Sequence, residues 1–377
     1  MDIATLRRIP EKSTGKQQEK TVLLILTEAC NLNCIYCYEQ HKGARSMDLE
    51  TAMGIIEREM NSNDEFDRIF EFFGGEPFLE FDKIVALHDF LSSRQWPKKW
   101  ISITTTNGTL VHGKIKEWML RNKKTFKAAL SADGTQMMHN TNRSNSYDMI
   151  DFDFFIETYP VVRMTVSPKT LPYLSEGVIH LHNLGFGVTS NLAFGIDWSR
   201  DENIVIFAAE LRKLTDFYIK NPKVTPANIL DMDVEAINPQ SRDYASRYCG
   251  AGVNMVAYDT DGVSYPCQTF APLAVGVDIA QKSHTLVFES EISLECFDEK
   301  CRTCPVANIC PNCYGINFSR TGNMYSKDDS FCRMIKVQFL ANANFKYLQY
   351  LAGSLSLAQE EEYRLLNNIS LVQTLEI

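Results

Sequence analysis

The chain has 377 residues, 45% of them hydrophobic and 23% charged, with a formal net charge of −9. That composition is typical of an ordered globular protein, and scattered basic residues in an acidic chain argue against nucleic acid as the partner. The first twenty residues carry no apolar stretch and no later segment offers the roughly 18 apolar residues of a membrane span, so a cytoplasmic protein without a membrane partner is expected.

After a polar segment over 1–20, short apolar runs alternate with amphipathic stretches. TVLLILT from Thr21, RIFEFFG from Arg68, WISITTT from Trp100, FKAALSA from Phe126, VVRMTVS from Val161 and FGVTSNLA from Phe186 read as buried parallel strands. LETAMGIIEREM, FDKIVALHDFLSS, HGKIKEWMLRN and LSEGVIHLHNLG read as helices, the last stopped by Gly185. This alternation predicts an α/β fold, a partial, TIM-like (β/α)6 barrel over 21–236, with its active site in the loops after the strands. The stretch NPKVTPANILDMDVEA, from Asn221 to Ala236, reads as a connector. Over 237–337, hairpin-like turns such as YDTDGVSYPC and cysteine-dense loops predict a second, metal-stapled domain. The run RMIKVQFLANANFKYLQYLAGSL leads into a helical segment, 338–377, expected to pack back.

Eleven cysteines is an odd number, and in a reducing compartment clustered thiols indicate metal. Cys30, Cys34 and Cys37 form CxxxCxxC on the loop after the first strand, and the next cysteine is Cys249. Structural zinc wants four protein ligands, whereas a cubane iron-sulfur cluster with three thiolates keeps one iron corner open to a small molecule. A zinc site completed by a distant His or Cys is the competing reading. Gly74-Gly75-Glu76-Pro77 follows the second strand, where two glycines admit a ligand to the backbone and a carboxylate beside peptide carbonyls suits an ammonium group. Ser131 ends the fourth strand of SADG and Arg143 follows one short helix later, a pair suited to a carboxylate. His139 between them reads as a packing residue, and Thr105-Thr106-Asn107-Gly108 as a turn at the barrel mouth.

Together these segments resemble the radical S-adenosylmethionine enzymes. The resemblance implies a [4Fe-4S] cluster on Cys30, Cys34 and Cys37, with Tyr36 near the adenine of S-adenosylmethionine. It also implies that the Gly74, Gly75 and Glu76 turn receives the cofactor's amino group, and that Ser131 and Arg143 take its carboxylate. The later cysteines, Cys249-x12-Gly262-x4-Cys267, Cys301-x2-Cys304-x5-Cys310-x2-Cys313 and Cys332, resemble the SPASM extension, which carries two auxiliary [4Fe-4S] clusters. By that likeness Cys301, Cys304, Cys310 and Cys332 hold the outer cluster, and Cys249, Cys267 and Cys313 the inner one. The fourth inner ligand is either Cys296 or an open iron, since Met255 stands where many relatives have cysteine. A zinc ribbon on Cys301, Cys304, Cys310 and Cys313 has sound local spacing but leaves the other late cysteines without a role.

Enzymes with this extension mostly modify peptides or proteins. The expected reaction generates a 5′-deoxyadenosyl radical and functionalises a C–H bond of a ribosomally made peptide, forming a thioether, a carbon-carbon crosslink or a related product. A flavodoxin- or ferredoxin-type electron donor is implied. A separate leader-binding protein is a candidate partner, because about twenty residues ahead of the first strand are too few for a leader-binding domain. The runner-up is anaerobic sulfatase maturation, which uses an aspartate where this chain has Gln268, and an amide cannot act as a base. A non-catalytic iron-sulfur electron carrier is the alternative from another class.

Overall fold

The structure, a computed structural model, describes residues 19–237, 244–245, 249–289 and 292–377. Six strands, β1 (Glu19–Thr27), β2 (Asp67–Gly74), β3 (Trp100–Thr106), β4 (Phe126–Ser131), β5 (Val161–Val166) and β6 (Gly187–Leu192), alternate with helices. Four short ones follow: β7 (Tyr244–Ala245), β8 (Met255–Tyr258), β9 (Ser264–Tyr265) and β10 (Ile292–Ser293). The fold is an α/β partial barrel on a parallel sheet with a cysteine-rich C-terminal region. Most of the polar N-terminal segment lies outside the described residues.

The chain forms two compact units. One comprises Met1–Ala132, Arg143–Val161 and Cys249–Glu289, the other Asp133–Asn142, Val162–Tyr248 and Ser290–Ile377. In the first, the strand order is β4-β3-β2-β1-β8-β9. The strands β1 to β4 pair in parallel, with Val22 opposite Phe70, Phe70 opposite Ser102 and Ser102 opposite Phe126. A strand covered on both faces needs apolar residues at every position, and Val22 to Leu26 are each at most 1% exposed. The turn in YDTDGVSYPC is a hairpin, Ala257 opposite Tyr265, and its first strand extends the parallel sheet beside β1, Leu23 opposite Ala257. Because β1 to β4 run in parallel, the loops carrying Cys30, Gly75, Asn107 and Ala132 all open on one edge of the sheet.

In the second unit β5 and β6 are neighbours. The helix Leu174–Leu184 stops at Gly185, whose φ of 105° is left-handed and whose N–H donates to the carbonyls of His182 and Leu181. The C-terminal helices Asp329–Leu351 and Gln359–Val372 close a core that includes Val234, Ile237, Val306, Phe339 and Leu365, with Cys304 and Cys310 against it. Two asparagines tie the connector to these helices. Asn342 accepts from Met232 N at 2.8 Å and donates to Ile229 O at 2.9 Å. Asn368 Nδ2 reaches the carbonyls of Val234, Glu235 and Ile237 at 3.0, 3.2 and 3.0 Å. Asn368→Ala strands these carbonyls in a buried place and is expected to cost about 1–3 kcal/mol. A lowered urea midpoint at unchanged m-value checks this; an unchanged midpoint would show that the carbonyls find other donors.

Candidate functional site

The three-thiol loop leaves β1 at Thr27 and folds into a tight turn in which Cys37 N donates to Cys34 O at 3.2 Å. Leu32 N lies 3.5 Å from Cys30 Sγ, and Lys42 Nζ, donating to Leu32 O at 3.1 Å, clamps the turn from behind. Burial pushes the Cys30 and Cys37 thiols above the ordinary cysteine range, so a bound cation is needed to draw off their protons. All eleven cysteines are free thiols. Among the described residues no three His, Cys, Asp or Glu side chains close on one point as a single metal ion requires.

The turn after β2 is built onto this loop. Gly75 N donates to Thr27 O at 3.1 Å and Glu76 N to Ala29 O at 2.9 Å, so the peptide leading to Cys30 is pinned by two backbone bonds. Only glycine permits the approach. A Cβ on Gly74, whose φ is +140°, would stand 2.2 Å from Thr27 O, and one on Gly75 would stand 2.3 Å from Ala29 O. Glu76 is 1% exposed. Its Oε1 accepts from Phe78 N at 3.1 Å and Thr106 Oγ1 at 2.8 Å, and its Oε2 accepts from Asn107 N at 2.8 Å. A carboxylate offers about four lone-pair sites, so one is left on Oε2, a place that fits an ammonium group.

The Thr105 to Gly108 turn therefore has a definite task, to hold Glu76, which its composition alone did not reveal. Asn107 carries the lacing further, donating to Asn31 Oδ1 at 2.8 Å, and Asn31 donates to Thr109 Oγ1 at 2.8 Å. Arg143 lies with its guanidinium carbon 5.3 Å from the centroid of the Tyr36 ring, and its charge acts on Glu76. Next to it, Ser144 and Asn145 have φ of 53° and 55°, a left-handed pair that returns Ser144 Oγ to Asn33 N at 2.9 Å. Cys30, Cys34, Cys37, Tyr36, Gly74, Gly75, Glu76, Ser131 and Arg143 thus all belong to the first unit, Ser131 as the last residue of β4. His139, fully buried in the second unit, has its Nδ1 accepting from Asp133 N at 3.3 Å, while Asp133 Oδ1 accepts from Thr165 N at 2.9 Å.

Of the later cysteines, Cys301, Cys304, Cys310 and Cys332 line one pocket in the second unit. Burial pushes the Cys301 thiol up to about 11 and raises those of Cys304 and Cys332. A partly apolar cavity lined by four thiols fits an iron-sulfur cluster. The inner set is divided: Cys249 and Cys267 belong to the first unit, Cys296 and Cys313 to the second. Cys267 is buried with its sulfur 3.1 Å from Thr269 Oγ1, Cys296 is exposed, and Cys313 caps the helix Tyr314–Thr321.

Residues 18–142 match the family described as 4Fe-4S single cluster domain. An uncharacterized protein of Methanocaldococcus jannaschii is 30% identical over 224 residues, 55% of this chain and 76% of that protein. The radical SAM cyclopropyl synthase TigE of Paramaledivibacter caminithermalis is 22% identical over 368 residues, 88% of this chain and 75% of that enzyme. The chain belongs to the radical S-adenosylmethionine enzymes with a SPASM domain. Solved structures share the fold of this radical enzyme. The enzyme anSMEcpe, with bound AdoMet and Kp18Cys peptide, superimposes with a TM-score of 0.67 at 18% identity, covering 89% of this chain and 99% of that one. Streptococcus suis SuiB bound to its precursor peptide SuiA does so with a TM-score of 0.53 at 15% identity, covering 83% and 76%. Among the described residues of the radical enzyme, no helix is long and apolar enough to cross a membrane.

Proposed function

We propose that this enzyme is a maturase of ribosomally made peptides that forms a crosslink or a related product at a C–H position. The likeness to the cyclopropyl synthase carries the reading, because it runs over 88% of the chain and so extends well beyond the first-cluster domain alone. Peptide-bound anSMEcpe and SuiB, which share the fold, support a peptide as substrate. When bound to the reduced first cluster, S-adenosylmethionine supplies a 5′-deoxyadenosyl radical able to take hydrogen from carbon.

The chain's own residues then bind and orient. Cys30, Cys34 and Cys37 would hold the first cluster, Tyr36 would border the adenine, and the Gly74-Gly75-Glu76 turn would take the amino group on the free lone pair of Glu76. Ser131 and Arg143 would hold the carboxylate. The outer and inner sets would carry two further clusters, three in all, fed by a flavodoxin- or ferredoxin-type donor; leader recognition would fall to another surface of the chain or to a separate protein. Formylglycine formation ranks second for a local reason. Gln268, at the place of the base, is an amide whose Oε1 is buried with no hydrogen-bond partner among the described residues.

Anaerobically reconstituted protein with dithionite is expected to turn S-adenosylmethionine into 5′-deoxyadenosine, and with its peptide to give a product lighter by two hydrogens in mass spectrometry. A sulfatase peptide converted to formylglycine would reverse the ranking, and no 5′-deoxyadenosine at all would leave an electron carrier.

A further inference from the structure

Three lysines, Lys300, Lys327 and Lys336, share the pocket of Cys301, Cys304, Cys310 and Cys332. Two of them have other partners. Lys300 Nζ donates to Lys327 O at 2.9 Å and pairs with Asp329 and Asp298. Lys336 Nζ donates to Glu376 O at 2.6 Å. Lys327 differs: it lines the pocket together with Cys301 and Cys310, on whose sulfurs its charge acts, and its ammonium lies 5.9 Å from the centroid of the buried Phe297 ring. Among the described residues neither it nor Lys336 has an ion-pair partner, Lys336 reaching only a backbone carbonyl. Its backbone is fixed on both sides, with Lys327 N donating to Asp298 Oδ2 at 3.0 Å and Lys327 O receiving Lys300.

A cation aimed at thiolate sulfur with no carboxylate to neutralise it acts on whatever charge the sulfurs carry. One-electron reduction makes a four-thiolate cluster one unit more negative, and its potential follows net charge, hydrogen bonds to sulfur and exposure to water. In a partly apolar pocket the attraction is screened less than in water. From the placement of Lys327 we infer that it raises the reduction potential of the outer cluster, helping to hold it high enough to accept an electron. The cluster gains the one electron given up when the substrate radical left by hydrogen abstraction is oxidised, and passes it to a protein of the flavodoxin or ferredoxin class, so no other oxidant is required. This inference rests on the reading of the four cysteines as cluster ligands.

The experiment is a potentiometric titration of the reconstituted full chain followed by electron paramagnetic resonance, with the outer signal assigned by its loss in Cys332→Ser. Lys327→Met is expected to make the outer cluster about tenfold harder to reduce, a shift of ~59 mV to more negative potential for one electron. Lys327→Arg keeps the wild-type value, and the other signals do not move. An unchanged midpoint in Lys327→Met with full iron content overturns the inference. If Lys327→Met loses the outer irons, Lys327→Gln is titrated instead. Loss in that variant too would make the lysine an assembly residue and overturn the inference as well. Should the wild-type protein show no signal that Cys332→Ser removes, the cluster assignment itself has failed, an outcome distinct from a midpoint that stays put.

Discussion

Gly75→Ala is expected to lower formation of 5′-deoxyadenosine at least about a hundredfold, because a misplacement of about 1 Å at a reacting centre costs that much. The added Cβ would meet Ala29 O at 2.3 Å, Ala29 C at 2.7 Å and Cys30 Cβ at 2.9 Å, all parts of the loop that presents the first thiol. None of these is the free end of a flexible side chain. Relief must come from moving the peptide that Gly75 and Glu76 pin through Thr27 O and Ala29 O, which displaces Cys30 and the free edge of Glu76 together. Overpacking of this kind costs about 1–3 kcal/mol of stability, which leaves a folded domain. Gly54→Ala is the control. Gly54 lies in the helix Leu49–Met60 with nothing within 4 Å of an added Cβ, so it should gain up to about 1 kcal/mol and keep full activity. Turnover by Gly75→Ala near that of Gly54→Ala would mean that the turn does not position the cofactor.

The glycine requirement was visible in the residue string because GGE sits directly after an apolar strand, and a spacing of three thiols in eight positions has few physical uses. Strands were legible for the same kind of reason: β1 is buried on both faces, so TVLLILT is apolar without interruption. The helix Asp201–Lys220 is harder to see in the string, although Phe207, Leu211, Leu214 and Tyr218 repeat at helical spacing and are buried. Arg200 at its start offers no side-chain cap, and the helix opens on two acidic residues, Asp201 and Glu202. What no local pattern carries is partnership across distance. The bond from Asn107 to Asn31 joins residues 76 apart, Met255–Tyr258 is too short to announce that it pairs with β1, and Lys327 belongs to no spacing rule. Such residues become recognisable only when the fold has brought a sulfur, a carboxylate or a bare carbonyl beside them.

Glu76→Gln shows how much one such partnership decides. The carboxylate accepts Phe78 N, Thr106 Oγ1 and Asn107 N at once, which only an acceptor at both oxygens can do. An amide must turn its NH2 towards one of the two backbone N–H groups, leaving a buried donor facing a donor. The Asn107 turn, and through it Asn31, then loosens. The variant also loses the charge-assisted bond to an ammonium, of the order of 1.5–3 kcal/mol, so S-adenosylmethionine should bind roughly 10–100-fold more weakly to the reconstituted enzyme by calorimetry. The pH dependence separates charge from shape. Burial raises the Glu76 pKa above the usual carboxylate value of 4.5, although bonds from Asn107, Thr106 and Phe78 and the charge of Arg143 oppose the rise. Ionised carboxylate, the binding form, is complete above the raised pKa and is lost as pH falls through it. Wild-type affinity should therefore begin to decline on acidification while ordinary surface carboxylates are still charged, whereas Glu76→Gln should stay weak and flat across the same range. Glu80→Gln, where the carboxylate bonds Ser46 and Lys83 instead, should keep the wild-type profile; equal affinities for all three proteins would remove Glu76 from the cofactor site.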